Sequence, residues 1–354
     1  MVLITSPRFE EHVTPPGHPE RVERAHVFDA VAAQWAERGG ATAPPRPATR
    51  EELARVHDAA HLDRIAAIAG TPAMLDADTF TSPETHEIAL LAAGAAVQAA
   101  EHALDRRQPA FALVRPPGHH AEANRAMGFC VFNNVAVAAA AALARGLTRV
   151  AIVDIDVHHG NGTQWMFYSD PRVLYVSTHQ YPFYPGTGAA DEVGTDRGAG
   201  FTFNVPLEAG ATDGDYDLVY TAAIVPVLDA FNPELLLVSA GYDAHEEDPL
   251  ASMRVTTAGY ARVVAHLRDA AARHGGAIAL VTEGGYELTA LGACLDATID
   301  VLSGGRETGT FNVSDGLSPE TLSVPVSRAS TSTARAKRAL EQVRAAQSSY
   351  WRGI

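Results

Sequence analysis

Residues 150–162 read Val150-Ala151-Ile152-Val153-Asp154-Ile155-Asp156-Val157-His158-His159-Gly160-Asn161-Gly162. The run begins as an apolar strand and ends in acids, histidines and glycines. In an extended chain, residues two apart share a face, so Asp154, Asp156 and His158 are expected to point the same way. Ionised carboxylates at the end of a buried strand are costly without partners. A divalent cation removes that cost, and Asp with His suits a hard or borderline metal. A single Asp here would read as a solvated strand end. Three liganding residues followed by a Gly-Asn-Gly turn do not.

Working outward, apolar runs recur at 110–114, 172–177, 201–205, 234–239 and 277–281. Helical patterns lie between several of them, at 84–105, 133–145, 213–230, 257–273 and 288–302. This alternation predicts a single α/β domain over 1–354, with a mainly parallel sheet covered by helices on both faces. Asn133 is placed to cap the Ala-rich helix that Gly146 follows. The Ser-, Thr- and Gly-rich stretch 305–333 reads as irregular, with a short helix at 334–347 after it.

Open α/β sheets bind ligands at the carboxyl ends of their strands. Here those ends carry Pro117-Gly118-His119-His120, the Asp/His run, Ser177-Thr178-His179, Gly241-Tyr242-Asp243 and Glu283-Gly284-Gly285-Tyr286. Asp156, His158 and Asp243 offer two carboxylates and an imidazole, leaving a coordination position open as catalytic sites do. His119 and His120 are candidate proton carriers, with Asp154 and Asn161 as partners, one for each ring. Tyr286 follows two glycines and could donate a hydrogen bond to a developing oxyanion. Phe129, after Gly128, and the run Tyr181-Pro182-Phe183-Tyr184 could wall a narrow apolar tube. Asp78 could sit on its rim and accept a substrate amide.

Composition narrows the function classes. A net charge of -15 disfavours nucleic acid and anionic membrane and leans towards a cationic substrate. Cys130 and Cys294 make no disulfide framework, read as small buried hydrophobes, and suit a reducing, cytoplasmic setting. Neither a signal-peptide pattern nor a membrane-spanning run is expected.

The segments Arg115-Pro-Pro-Gly-His-His120, Gly128-Phe-Cys-Val-Phe-Asn-Asn134, Asp154 to Gly162, Tyr184-Pro-Gly-Thr-Gly188, Gly241-Tyr-Asp243 and Glu283-Gly-Gly-Tyr286 resemble the zinc-dependent histone deacetylase superfamily, from about residue 1 to 303. Acetylpolyamine amidohydrolases and bacterial histone-deacetylase-like amidohydrolases belong to it. The resemblance implies an arginase-like fold and a zinc ion, with Fe²⁺ an alternative, on Asp156, His158 and Asp243. It implies that His120 moves the proton of the attacking water, that His119 paired with Asp154 is its electrostatic partner, and that Tyr286 polarises the acyl carbonyl. It implies a channel wall of Gly128, Phe129 and one of Phe183 or Tyr184, with Asp78 holding the substrate amide. A potassium ion on oxygens of Asp154, Asp156, His158 and Ser177 is implied, and a second near the backbone of Phe167 and Val173. Asn161 stands where some members carry Asp, which resembles the class II branch. Leu250 occupies a position where a polyamine-selective branch has Glu. That tilts the expected substrate towards acyl-lysine in peptides or proteins; an acetylated polyamine is the alternative, with Glu122, Glu246, Glu247 and Asp248 as candidate acids at the channel mouth. Oligomeric state has no signature in the sequence.

Overall fold

The computed structural model describes residues 1–304 and 333–353; most of the expected irregular stretch 305–333 lies outside them. In chain order the elements are β1 (Val2–Ile4), α1 (Glu23–Glu37), β2 (Ala41–Ala43), α2 (Arg50–Leu53), α3 (Ala59–Ala67), β3 (Ala73–Met74), β4 (Phe80–Thr81), α4 (Thr85–Arg106), β5 (Ala110–Ala112), α5 (Asn134–Ala144) and β6 (Val150–Asp154). There follow α6 (Asn161–Phe167), β7 (Val173–Gln180), β8 (Thr202–Leu207), α7 (Asp213–Val219), α8 (Val225–Phe231), β9 (Leu235–Ala240), α9 (Thr257–Arg273), β10 (Ala277–Thr282), α10 (Leu288–Ser303) and α11 (Ala334–Gln347).

Eight strands form one sheet in the order β2-β1-β5-β10-β9-β6-β7-β8, and every pair in it is parallel. Alternate strand residues enter two different cores. Val150 and Ile152 pack with α4 and α5, while Ala151 and Val153 pack with α1, α7, α9, α10 and α11. That is why the strands read as continuous apolar runs: both faces are buried. The Ala-rich sequence of α5 is buried almost all round, and the Ala136 N–H donates to the Asn133 cap at 3.0 Å. Cys130 and Cys294 are buried free thiols. None of the described helices is long and apolar enough to cross a membrane.

The helical pattern expected at 213–230 is present, with a π-helical turn at Tyr220–Ile224 joining α7 to α8. The alternation from Asp154 to His158 does not hold. Strand β6 stops at Asp154, so a loop, not a pleat, aims Asp156 and His158. The short elements before α4 carry no long periodic run and were not foreseen. Among them, the hairpin β3–β4 pairs Ala73 with Thr81 and Met74 with Phe80.

Candidate functional site

Three strand-end loops converge at the carboxyl edge of the sheet. Asp156 and His158 follow β6, Asp243 follows β9, and Gly284 follows β10. One ligand atom each from Asp156, His158 and Asp243 lies within 4.8 Å of the others. Both carboxylates are fully buried, and backbone amides of neighbouring loops aim them. The Gly284 N–H donates to Asp156 Oδ2 at 2.8 Å, and the Val157 N–H donates to Asp243 Oδ1 at 2.9 Å. A Cβ at Gly241 would stand 2.0 Å from Asp156 Oδ2, and one at Gly284 2.1 Å from Asp243 Oδ2. The glycines are there because the carboxylates need the room.

His158 Nδ1 lies 3.1 Å from Asp156 Oδ1 and 3.1 Å from Asp243 Oδ2. A single ring nitrogen is shared there between two carboxylates. Burial pushes Asp243 up to about 7, helped by the charge of Asp156 and opposed by His158. Burial would lower His158, but its bonds to the two carboxylates hold it up at about 10. A cation in the place of that shared proton would satisfy all three groups, so the donor set fits a divalent metal. Asp154 is not among the three. Its Oδ2 receives the Tyr175 hydroxyl at 3.2 Å and lies 3.0 Å from His119 Nδ1.

The surroundings of the two adjacent histidines pull their pKa values in opposite directions. Burial disfavours a charge on His119, but Asp154 and Asp156 outweigh it and hold its pKa well above the usual range. Burial pushes His120 well below, and the charges of His119 and His158 add to the effect. His120 Nδ1 is 2.8 Å from Asn161 Oδ1, and the Asn161 amide donates to Glu122 Oε1 at 2.8 Å. The donated bond to Glu122 fixes which way the Asn161 amide points. The His120 proton therefore sits on Nδ1, and Nε2 is free to accept one. The two rings are 4.0 Å apart, and His120 is 6.0 Å from His158.

Aromatic side chains stand over these groups. Phe183 stacks on His158 at 5.4 Å, and Tyr184 meets His120 edge-on at 5.2 Å, so both members of the expected pair stand beside the site histidines. Phe129 lies edge-on to Tyr286 at 5.9 Å. Gly128 has φ +56°, and a Cβ there would stand 2.5 Å from His120 Cδ2. Phe129 itself holds φ +69°, a conformation unusual for a bulky residue, and its N–H donates to Thr79 Oγ1 at 3.1 Å. Burial, then the charge of Asp243, raises the Tyr286 phenol well above its usual range. Tyr286 and Leu250 line a cavity of about 690 Å³ with the segment Thr14–Glu23. Asp78 is half-buried in the β3–β4 turn, and its carbonyl lies 3.0 Å from His18 Nε2. Of the residues expected around potassium, Asp154 and Ser177 face each other in register across β6 and β7. Phe167 ends α6, and Val173 begins β7.

The acids foreseen at the mouth divide. Glu246 and Glu247 are exposed, and Glu122 is paired with Arg125 at 2.7 Å. Asp248 is not at the mouth: it is 6% exposed. Its Oδ2 accepts the N–H of Tyr286 at 2.7 Å and of Glu287 at 3.2 Å, and its Oδ1 accepts that of Leu250 at 3.0 Å. Glu283 is a further positioning group, accepting the N–H of Gly118 at 2.6 Å and of His119 at 3.1 Å. Its signal was available in the sequence: like Asp154, it is a carboxylate at the end of a fully buried strand.

The model of the histone deacetylase domain matches residues 18–302. Histone deacetylase 15 of Arabidopsis thaliana is 42% identical over 313 residues, covering 85% of this chain and 55% of the plant protein. A histone deacetylase-like amidohydrolase of Pseudomonas aeruginosa is 44% identical over 265 residues, covering 73% of this chain and 70% of its own. A probable deacetylase of Archaeoglobus fulgidus is 34% identical and covers 99% and 98%. The crystal structure of the HDA15 HD domain superposes with a TM-score of 0.86 at 36% identity, covering 99% of this chain and 94% of that one. With the family model spanning most of the sequence and the sheet shared with a solved member, this chain belongs to the histone deacetylase family.

Proposed function

We propose that the chain is a metal-dependent hydrolase that removes acetyl or other acyl groups from the Nε-amine of lysine in peptides or proteins. The observation that carries this is the buried Asp156-His158-Asp243 group beside two adjacent histidines, one bonded to the Asp154 carboxylate and the other to the Asn161 amide. Environments that drive neighbouring pKa values apart mark acid and base roles. Asp156, His158 and Asp243 would hold zinc, or Fe²⁺ on the same donors. When bound, the metal supplies a Lewis acid for the acyl oxygen and acidifies water.

The remaining steps fall to side chains. His120 takes a proton from the attacking water on Nε2 as the new C–O bond forms. It returns that proton to the lysine nitrogen as the C–N bond breaks, so the products are a free amine and a carboxylate. Protonated His119, held by Asp154, supplies positive charge beside the reacting centre. The Tyr286 hydroxyl donates to the acyl oxygen as negative charge develops there. Phe129, Phe183 and Tyr184 exclude water around an extended acyl-lysine, and Asp78 accepts from its backbone amide. A potassium ion on oxygens of Asp154, Asp156, His158 and Ser177, with a second near Phe167 and Val173, belongs to the same proposal as a structural support.

Zinc-loaded protein is assayed side by side on an acetyl-lysine peptide, acetylputrescine and acetylspermidine, with wild type and Tyr286→Phe. The reading expects the peptide to be hydrolysed fastest and the variant to lose about 10²–10³ in kcat. Faster polyamine turnover would transfer the assignment to acetylated small amines.

A further inference from the structure

Beside the site lies a second cavity, of about 580 Å³, walled by Val13, Pro15, Pro72, Met74, Phe80 and Pro83. It is apolar and open to solvent. Among the described residues, the large hydrophobic side chains left exposed are Val13, Met74, Trp165, Tyr184 and Tyr350. Two of these five, Val13 and Met74, line this cavity, and a third, Tyr184, stands at His120. Exposed apolar side chains gathered round a concavity mark a binding site more often than scattered ones do.

Its position says what it would bind. The cavity and the one reaching Tyr286 and Leu250 share Thr14 and Pro15 as a common wall. The same hairpin touches both: its strands give Met74 and Phe80 to the apolar cavity, and in its turn the Asp78 carbonyl lies 3.0 Å from Nε2 of His18, which lines the other. Ring contacts also link them. His18 contacts Phe80 at 5.6 Å on one side and Phe129 at 4.7 Å on the other. Glu84 lines the cavity as well, and Asp76 sits in the same turn as Asp78, so its edge repels acidic groups.

We propose that this cavity is a side-chain subsite for a peptide substrate, taking an aliphatic or aromatic residue one or two positions from the acyl-lysine. This rests on the deacylase reading and deepens it. A small acylated amine has no side chain to place there, whereas an extended peptide held at Asp78 carries its next residues over Phe80 at about 3.3 Å per residue.

The test scans leucine through positions −2 to +2 of a glycine-flanked acetyl-lysine peptide. It is run with wild type, Met74→Asp and Val13→Asp, whose side chains are 67% and 52% exposed and belong to separate segments. Expected in wild type is one position at which leucine raises kcat/KM about tenfold over glycine, the order of a single apolar contact on an open surface. In both variants, at unchanged Tm, that ratio falls to near one. A wild type that hydrolyses the glycine-flanked peptide but shows no leucine preference would overturn the subsite alone. A preference that persists in both variants would do the same. Self-association of wild type lost in Met74→Asp would assign the patch to a second copy and overturn it too. Absence of turnover on every acetyl-lysine peptide would instead overturn the deacylase reading beneath it.

Discussion

Two regions of this molecule bury carboxylates, and they balance them differently. Under the N-terminal segment, Glu20 is fully buried and receives Arg115 at 2.8 Å and Arg24 at 2.9 Å, with His12 at 3.4 Å. Burial alone would raise Glu20, yet the Arg115 charge leads a set of partners that holds it well below the usual range. At the strand ends, Asp156 and Asp243 have only imidazoles within ion-pair reach among the described residues, and Asp243 is pushed up instead. Where the buried charge is structural, the chain supplies its own cations. At the strand ends the described residues supply imidazoles alone, and Asp243 is left raised beside Asp156.

The largest effects should separate these regions by stability. Glu20→Gln leaves Arg115 and Arg24 buried without their anion and is expected to cost about 3–5 kcal/mol in denaturant unfolding. Asp243→Asn replaces a carboxyl whose pKa burial already raises, so the metal-free variant should be no less stable than metal-free wild type while binding no zinc. Equal destabilisation of the two variants would erase the distinction.

A smaller effect is expected at Asp248, which joins the rim to the site by holding the amides of Leu250 and Tyr286. Asp248→Asn turns one acceptor into a donor facing an N–H. It should lower kcat about ten- to a hundredfold through a misplaced Tyr286, with KM little changed. In a Tyr286→Phe background the same change should cost almost nothing; a full additive loss there would show that Asp248 acts elsewhere.

The smallest effect is a pH trend. Asp243 in the metal-free fold keeps its proton up to about 7, while the unfolded chain releases it near the ordinary aspartate value of about 3.9. Between those limits the fold holds more protons than the unfolded state, so rising pH destabilises it. Asp243→Asn removes that contribution, so its Tm should gain on metal-free wild type as pH rises from 4 to 7. Glu20 has the opposite sign: its contribution is complete above the ordinary glutamate range and is lost as pH falls below it. A Tm difference that stays flat from pH 4 to 7 would contradict the assignment at Asp243.

Much of this was legible in the sequence because the six central strands are buried on both faces and read as apolar runs with polar ends. Asp156, His158, Asp243, His119 and His120 stood out because liganding residues at such ends have few bland explanations. The loop after Asp154 was not legible, since alternation predicts direction only while the chain remains pleated. Asp248 was misplaced because an acid among Glu246 and Glu247 looks solvated until the structure shows the amides it faces. The Thr14–Glu23 wall and the β3–β4 hairpin were invisible for another reason: their strands are two residues long, too short to show a period, and their place is set by contacts with distant segments.

The most direct test is calorimetric titration of metal-free protein with zinc in buffers of different ionisation enthalpy, at pH 6. The account predicts one zinc per chain with net proton release, because His158 and Asp243 hold protons that the metal must displace. It predicts no binding in Asp243→Asn. Zinc uptake without proton release, or undiminished uptake in that variant, would contradict the claim that the Asp156-His158-Asp243 group is a charge deficit built to hold a cation.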